Sequence, residues 1–197
     1  MQQPRSIYLV LDMENDLVHD DGPSGKGPMG EQVRERNIIA KTAGAIRKAR
    51  AAGVLVGFVR VGFSPEYQEC PPASPIFSGA PKGGLFKLGT WGTEIHPGLE
   101  KLPGDIDVVK HRVSPFYSTT LEAQLRAQGV TRIYCSGVST QAVVQATVRD
   151  AHDRDYEIIL LEDACAAHSA EEHANSIQSI ARFCKTETTD TVVFANP

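Results

Sequence analysis

Ile133-Tyr-Cys-Ser-Gly-Val-Ser-Thr-Gln-Ala-Val-Val-Gln-Ala-Thr-Val-Arg-Asp-Ala151 is the stretch that decides the fold. Its front end, Thr131 to Cys135, is a short β-prone run, and Gly137 permits a sharp turn. Ser139 or Thr140 can then cap a helix whose apolar positions are mostly small. A strand therefore feeds a helix through a tight elbow. The first N–H groups of such a helix have no intrahelical partner, so they favour negative charge in front of them. An α/β enzyme places a nucleophile or an oxyanion hole at such a point.

Working outward, the same alternation continues in both directions. Ser6 to Leu11 is a near-continuous apolar run, as expected of a strand covered on both faces of a parallel sheet, and Asp12 follows at its carboxyl end. Val18 to Gly30, rich in Gly, Pro, Asp and Ser, reads as an irregular loop. Glu31 to Ala52 predicts one helix with Val33, Ile38, Ala43, Ile46 and Ala49 on its apolar stripe, closed by Gly53. Val54 to Val59 predicts the second strand, and Asp105 to Val109 a short strand that delivers Lys110. Thr119 and Ser169 each stand three residues before a glutamate, the spacing of a capping box. They open one helix ending near Gly129 and another burying Ile177 and Ile180. Tyr156 to Leu161 is a further strand, Cys184 to Thr188 an edge strand, and Val192 to Phe194 a closing turn. Strands alternating with helices imply a three-layer α/β/α sandwich around a parallel sheet, in a single domain spanning 1–197.

Between Arg60 and the third strand lies a long insertion that holds seven of the twelve prolines. It carries Phe63, Tyr67, Phe77, Phe86 and the only tryptophan, Trp91. A connection this long is usually functional, and it reads either as a lid and substrate wall or as a satellite hydrophobic cluster or subunit interface.

Composition narrows the function. Hydrophobic residues at 41% and charged residues at 22% are those of an ordinary globular protein, and a net charge of −4 without a basic run argues against nucleic acid. No apolar stretch reaches membrane-spanning length and the first residues lack a signal-peptide pattern, so a cytoplasmic protein is expected. The four cysteines, Cys70, Cys135, Cys165 and Cys184, show no C-x-x-C spacing and read as reduced packing thiols. The six histidines are dispersed, so neither a metal nor another cofactor is expected.

Gly137-Val138-Ser139-Thr140, followed after three residues by Val144 to Ala151, resembles the signature of the isochorismatase-like hydrolases, the cysteine hydrolase superfamily. Asp12, in Asp-Met-Glu-Asn-Asp-Leu, and Lys110, in Lys-His-Arg-Val-Ser-Pro-Phe, match two further catalytic positions of that family. The resemblance covers nearly the whole chain. It implies strand order 3-2-1-4-5-6, a non-proline cis peptide at Val138-Ser139, and a homodimer or homotetramer. It also implies a departure: the nucleophilic cysteine of the amidase members falls on Val143.

Valine cannot attack a carbonyl. What the resemblance leaves is an acid/base group, a cation and a helix N-terminus, an arrangement closer to the isochorismatases proper, where the aspartate protonates a vinyl ether and water completes hydrolysis. Those enzymes carry Tyr-Ala-His where this chain has Ser139-Thr140-Gln141, so isochorismate itself is not implied. The expected function is hydrolysis of a small polar metabolite in which Asp12 shuttles a proton and Lys110 balances the charge. Amides of Val138, Ser139 and Thr140, with Gln141, would orient the substrate or its oxyanion. Trp91 and Phe116 are expected at the substrate, and Arg112 as an anchor for a substrate carboxylate or as a surface pair. Two alternatives stay open: a catalytically silent small-molecule-binding member, and an amidase with a displaced nucleophile. Ser139 and Thr140 read as hydrogen-bonding residues rather than nucleophiles, since no histidine neighbours them in sequence.

Overall fold

The computed structural model describes residues 3–197. Six strands form one parallel sheet: β1 (Arg5–Leu11), β2 (Leu55–Val61), β3 (Ile106–Lys110), β4 (Val130–Gly137), β5 (Glu157–Leu161) and β6 (Lys185–Glu187). Their order is β3-β2-β1-β4-β5-β6, in agreement with the sequence-based expectation, and every pairing is parallel. The helices are α1 (Asn15–Val18), α2 (Pro28–Glu35), α3 (Ile38–Ala51), α4 (Ala80–Gly83), α5 (Leu121–Ala127), α6 (Gln145–His152) and α7 (Ala170–Ile180).

The two faces of β1 explain why its sequence reads as a continuous apolar run. Tyr8 and Val10 join a core containing Ile38, Ala45, Ile46 and Ala49 of α3, while Ile7, Leu9 and Leu11 face the opposite core. That second core takes Leu121 and Leu125 of α5, Val148 of α6 and Ile180 of α7. Both faces exclude water, so neither parity of the strand is free to be polar. Phe194, beyond the last strand, closes the first core against Tyr8 and Tyr134 at ring-centroid distances of 5.5 and 4.7 Å.

Two local readings need correction. The helix expected over 31–52 is two helices, α2 and α3, because Asn37 adopts a left-handed conformation with φ 55°. The break lets Arg36 leave the helical path and donate to the carbonyls of Cys165 and Glu162. The capping box expected at Thr119 does not form: its hydroxyl accepts from the Leu121 N–H, and Glu122 pairs with Arg154. Ser169 does cap α7, accepting from the Glu172 N–H at 3.1 Å. The long insertion contains α4 and short 3-10 turns at Trp91–Thr93 and Pro97–Leu99.

The strand order reverses between β1 and β4, and the carboxyl ends of those two strands meet there. The Leu11 carbonyl accepts from the Val138 N–H at 3.1 Å. Gly137 permits this closeness: its φ is 153°, and a Cβ there would lie 2.1 Å from the Leu11 oxygen. Gly137→Ala is therefore expected to lower the unfolding free energy by about 3 kcal/mol, the upper range for forcing atoms into a packed interior. The shift in denaturant midpoint measures it, and an unchanged midpoint would show that the two strand ends separate without cost.

Candidate active site

Strand ends deliver the charged groups. Asp12 leaves β1 with φ 53°, a left-handed conformation that costs of order 1 kcal/mol for a non-glycine residue and is often retained at functional sites. Lys110 is the last residue of β3, in register with Val61 at the end of β2. Although β2 lies between them, the lysine Nζ sits 2.8 Å from Asp12 Oδ2 and 3.1 Å from the Arg112 carbonyl. Both side chains are almost wholly buried, at 1% exposure for the lysine and 6% for the aspartate. Burial of two ions is tolerated only when each is compensated, and here each is the other's counter-charge.

Burial dominates the Asp12 carboxyl and pushes its pKa up to about 6, against the opposing pull of the Lys110 ammonium. Its Oδ1 is buried and has no hydrogen-bond partner within the protein. A neighbour that the sequence reading passed over is Glu14, fully buried, whose Oε2 accepts from the Val61 N–H at 3.0 Å while Oε1 has no partner. Burial first, and the Asp12 charge second, raise its pKa well above the usual carboxylate range. The site thus holds one ammonium, one carboxylate paired to it, and a second carboxyl that favours its neutral form. The Asp12-Met13-Glu14 spacing was the available signal, two carboxyl groups following one buried strand.

At the elbow the Val138–Ser139 peptide bond is cis, and the chain enters a π-helical turn, Thr140–Val144, before α6. The expected side-chain cap is absent, for Ser139 precedes the turn without capping it. Instead the Ser139 carbonyl accepts from both the Ala142 and Val144 N–H groups, and the Thr140 N–H goes to the Ala166 carbonyl. Thr140 Oγ1 meets His173 Nδ1 at 2.9 Å, and the other nitrogen of that ring is 3.0 Å from Arg36. Arginine can only donate and a carboxylate can only accept, and Nε2 of the neutral ring faces one of each, Arg36 at 3.0 Å and Glu162 at 3.2 Å. Burial and the neighbouring Arg36 charge lower the His173 pKa, in keeping with that neutral form.

A cavity of about 240 Å³ opens over these groups, lined at its floor by Asp12 and Lys110 and at the elbow by Val138, Ser139, Ala142 and Val143. His168, whose Nδ1 contacts the Gln141 amide nitrogen at 2.7 Å, also lines it, a position the sequence did not mark. Most of the remaining wall is apolar. Phe77 and Phe86 of the long insertion line the cavity and also belong to the satellite cluster built on Phe63, so both the wall and the cluster reading of that insertion describe it.

The other expected site residues lie elsewhere. Trp91 is 44% exposed and packs edge-on against His19, outside the cavity lining. Arg112 donates to the Glu69 and His111 carbonyls and is not part of the lining. Phe116 is buried in the second core beneath Arg154, with Tyr156 beside it. Thr140 and Gln141 support the elbow without lining the cavity themselves. Cys135 and Cys165 are fully buried, which pushes both thiols up, Cys165 to about 12, and no cysteine lines the cavity among the described residues. Nor, among those residues, could any cluster of three or more His, Cys, Asp or Glu hold a metal ion. No helix there is long and apolar enough to cross a membrane.

Known proteins share this architecture. The chain is 34% identical to the uncharacterized isochorismatase family protein YecD of Escherichia coli O157:H7, over 89% of this chain and 87% of that protein. It is 34% identical to the ureidoacrylate amidohydrolase RutB of Variovorax paradoxus (strain S110), over 81% of this chain and 68% of that one. An isochorismatase family protein from Desulfovibrio vulgaris superposes with a TM-score of 0.83 at 28% identity, covering 95% of this chain and 96% of the other. The isochorismatase domain matches residues 6–191. With strand order, sequence and relatives in agreement over almost its full length, the chain belongs to the isochorismatase-like cysteine hydrolase superfamily.

Proposed function

We propose that this family member hydrolyses a small molecule without a covalent enzyme intermediate, using Asp12 to move the proton and Lys110 to hold the charge. One observation carries the reading: the 2.8 Å Asp12–Lys110 contact lies at the floor of a cavity whose elbow presents the isopropyl group of Val143. In the first step the Asp12 carboxylic acid gives its proton to the substrate, either at a vinyl carbon or at the leaving heteroatom. Water adds to the activated carbon and returns a proton to the Asp12 carboxylate, so the carboxyl ends the cycle as it began. Lys110 stabilises the carboxylate in the interval. The ureidoacrylate amidohydrolase among the relatives supports hydrolysis as the reaction type. A displaced thiol finds no support, since Cys135 and Cys165 are sealed in the core.

Asp12→Asn should lower kcat by on the order of 10²- to 10⁴-fold, the usual contribution of a positioned acid or base, on any vinyl ether, ester or amide that the wild-type chain turns over. Unchanged turnover in that variant would end the assignment. The pH profile supplies the sign. A donor must be protonated, and the Asp12 acid form is present below about pH 6 and lost as pH rises through it, so kcat/KM should be flat on the acid side and fall above about 6. A limb that rises through the same pH would instead make Asp12 a base. Iodoacetamide at neutral pH should leave turnover intact, whereas inactivation traced to one modified cysteine would restore thiol chemistry.

A further inference from the structure

We infer that the cavity takes an uncharged molecule whose apolar body is about the size of one aromatic ring and whose single polar group faces Asp12 and Lys110. The inference rests on the hydrolase reading for what happens to that polar group, and on the cavity alone for what fits.

Size comes first. An apolar cavity of about 150 Å³ holds benzene, so about 240 Å³ accommodates a ring and a few further atoms. The walls then decide the character of that body. Phe77, Phe86, Val61, Val113, Leu85 and Met29 offer the cavity apolar side chains, and the polar lining is confined to the floor, Ser139, Ser24 and His168. A substrate with polar groups spread across this space would leave most of them unpaired.

Charge is decided by what is already paired. Among the described residues Lys110 is the one lysine or arginine in the lining, and its ammonium is held by Asp12 Oδ2 and the Arg112 carbonyl. The Arg112 guanidinium, which the sequence offered as a carboxylate anchor, is turned to the Glu69 and His111 carbonyls instead. The His168 side chain is 56% exposed, where solvent screens it. Glu14 adds a carboxyl, not a cation, to the buried groups around Asp12. An anionic ligand would shed its water in this cavity and meet no free counter-charge. The orphaned Asp12 Oδ1 is an acceptor, or a donor when protonated, and so suits a neutral hydroxyl, ether or carbonyl group.

The test is a ligand-observed NMR titration of the full chain with two matched probes, benzyl alcohol and 4-(hydroxymethyl)benzoate. Benzyl alcohol should bind at least about tenfold more tightly, because only the second probe brings a charge into the cavity. Leu85→Trp, at a partly exposed wall position, should fill the mouth and abolish benzyl alcohol binding. Ile76→Arg, at a lining position 56% exposed and therefore compatible with folding, should bring the two dissociation constants to within about threefold by supplying the missing cation. Equal or tighter binding of the benzoate by the wild-type chain would overturn the inference. So would the absence of benzyl alcohol binding, its persistence in Leu85→Trp, or an unchanged preference in Ile76→Arg. Binding alone is read, so any of these results leaves hydrolysis at Asp12 standing. A chain that binds as expected without Asp12-dependent turnover keeps the ligand class and loses the reaction.

Discussion

A carboxylate and an ammonium buried against each other set the terms for the rest of this structure. Asp12 and Lys110 come from strands that are not neighbours, with β2 between them, and they meet only because both strands end on the same side of the sheet. Removing either partner would leave an almost wholly buried ion without its counter-charge, a change that costs about 3–5 kcal/mol. The pair therefore ties the carboxyl end of β1 to that of β3. It also holds a carboxyl group at a pKa of about 6, within reach of both protonation states near neutrality.

The elbow is held from behind rather than by its own cap. Arg36 leaves the helical path at the break between α2 and α3 and reaches Glu162, Cys165 and His173, and His173 passes the constraint to Thr140. The Thr140 N–H is tied to Ala166 and the Ser139 carbonyl collects two donors, so these backbone groups of an unusual turn are satisfied. A π-helical turn inserted ahead of an α-helix is a frequent feature of functional sites. Here Ala142 and Val143 line the cavity while Thr140 and Gln141 remain in support.

Chemistry at this site depends on which groups are left unsatisfied. The lysine is engaged, Glu14 favours its neutral form, and single oxygens of Asp12 and Glu14 stay unpaired. Such a site has a titratable carboxyl and, among its lining residues, no lysine or arginine left unpaired. The wall contributed by the long insertion adds apolar surface over the same floor, so a molecule held there would bury carbon rather than form ion pairs.

Sequence alone determined the parallel sheet, because a strand buried on both faces needs an unbroken apolar run, and a charge that ends such a run stands out. Asp12, Lys110 and the valine at position 143 were legible for that reason and through the family's motif. Tertiary structure decided which other side chains join them. Glu14 entered because the chain beyond β1 stays buried, and His168 entered from the segment after β5. Trp91, Arg112 and Phe116 had suitable chemistry but were drawn to His19, to nearby carbonyls and into the core. Which side chain faces a cavity is settled by contacts between segments far apart in the chain, and no local pattern of residues records those.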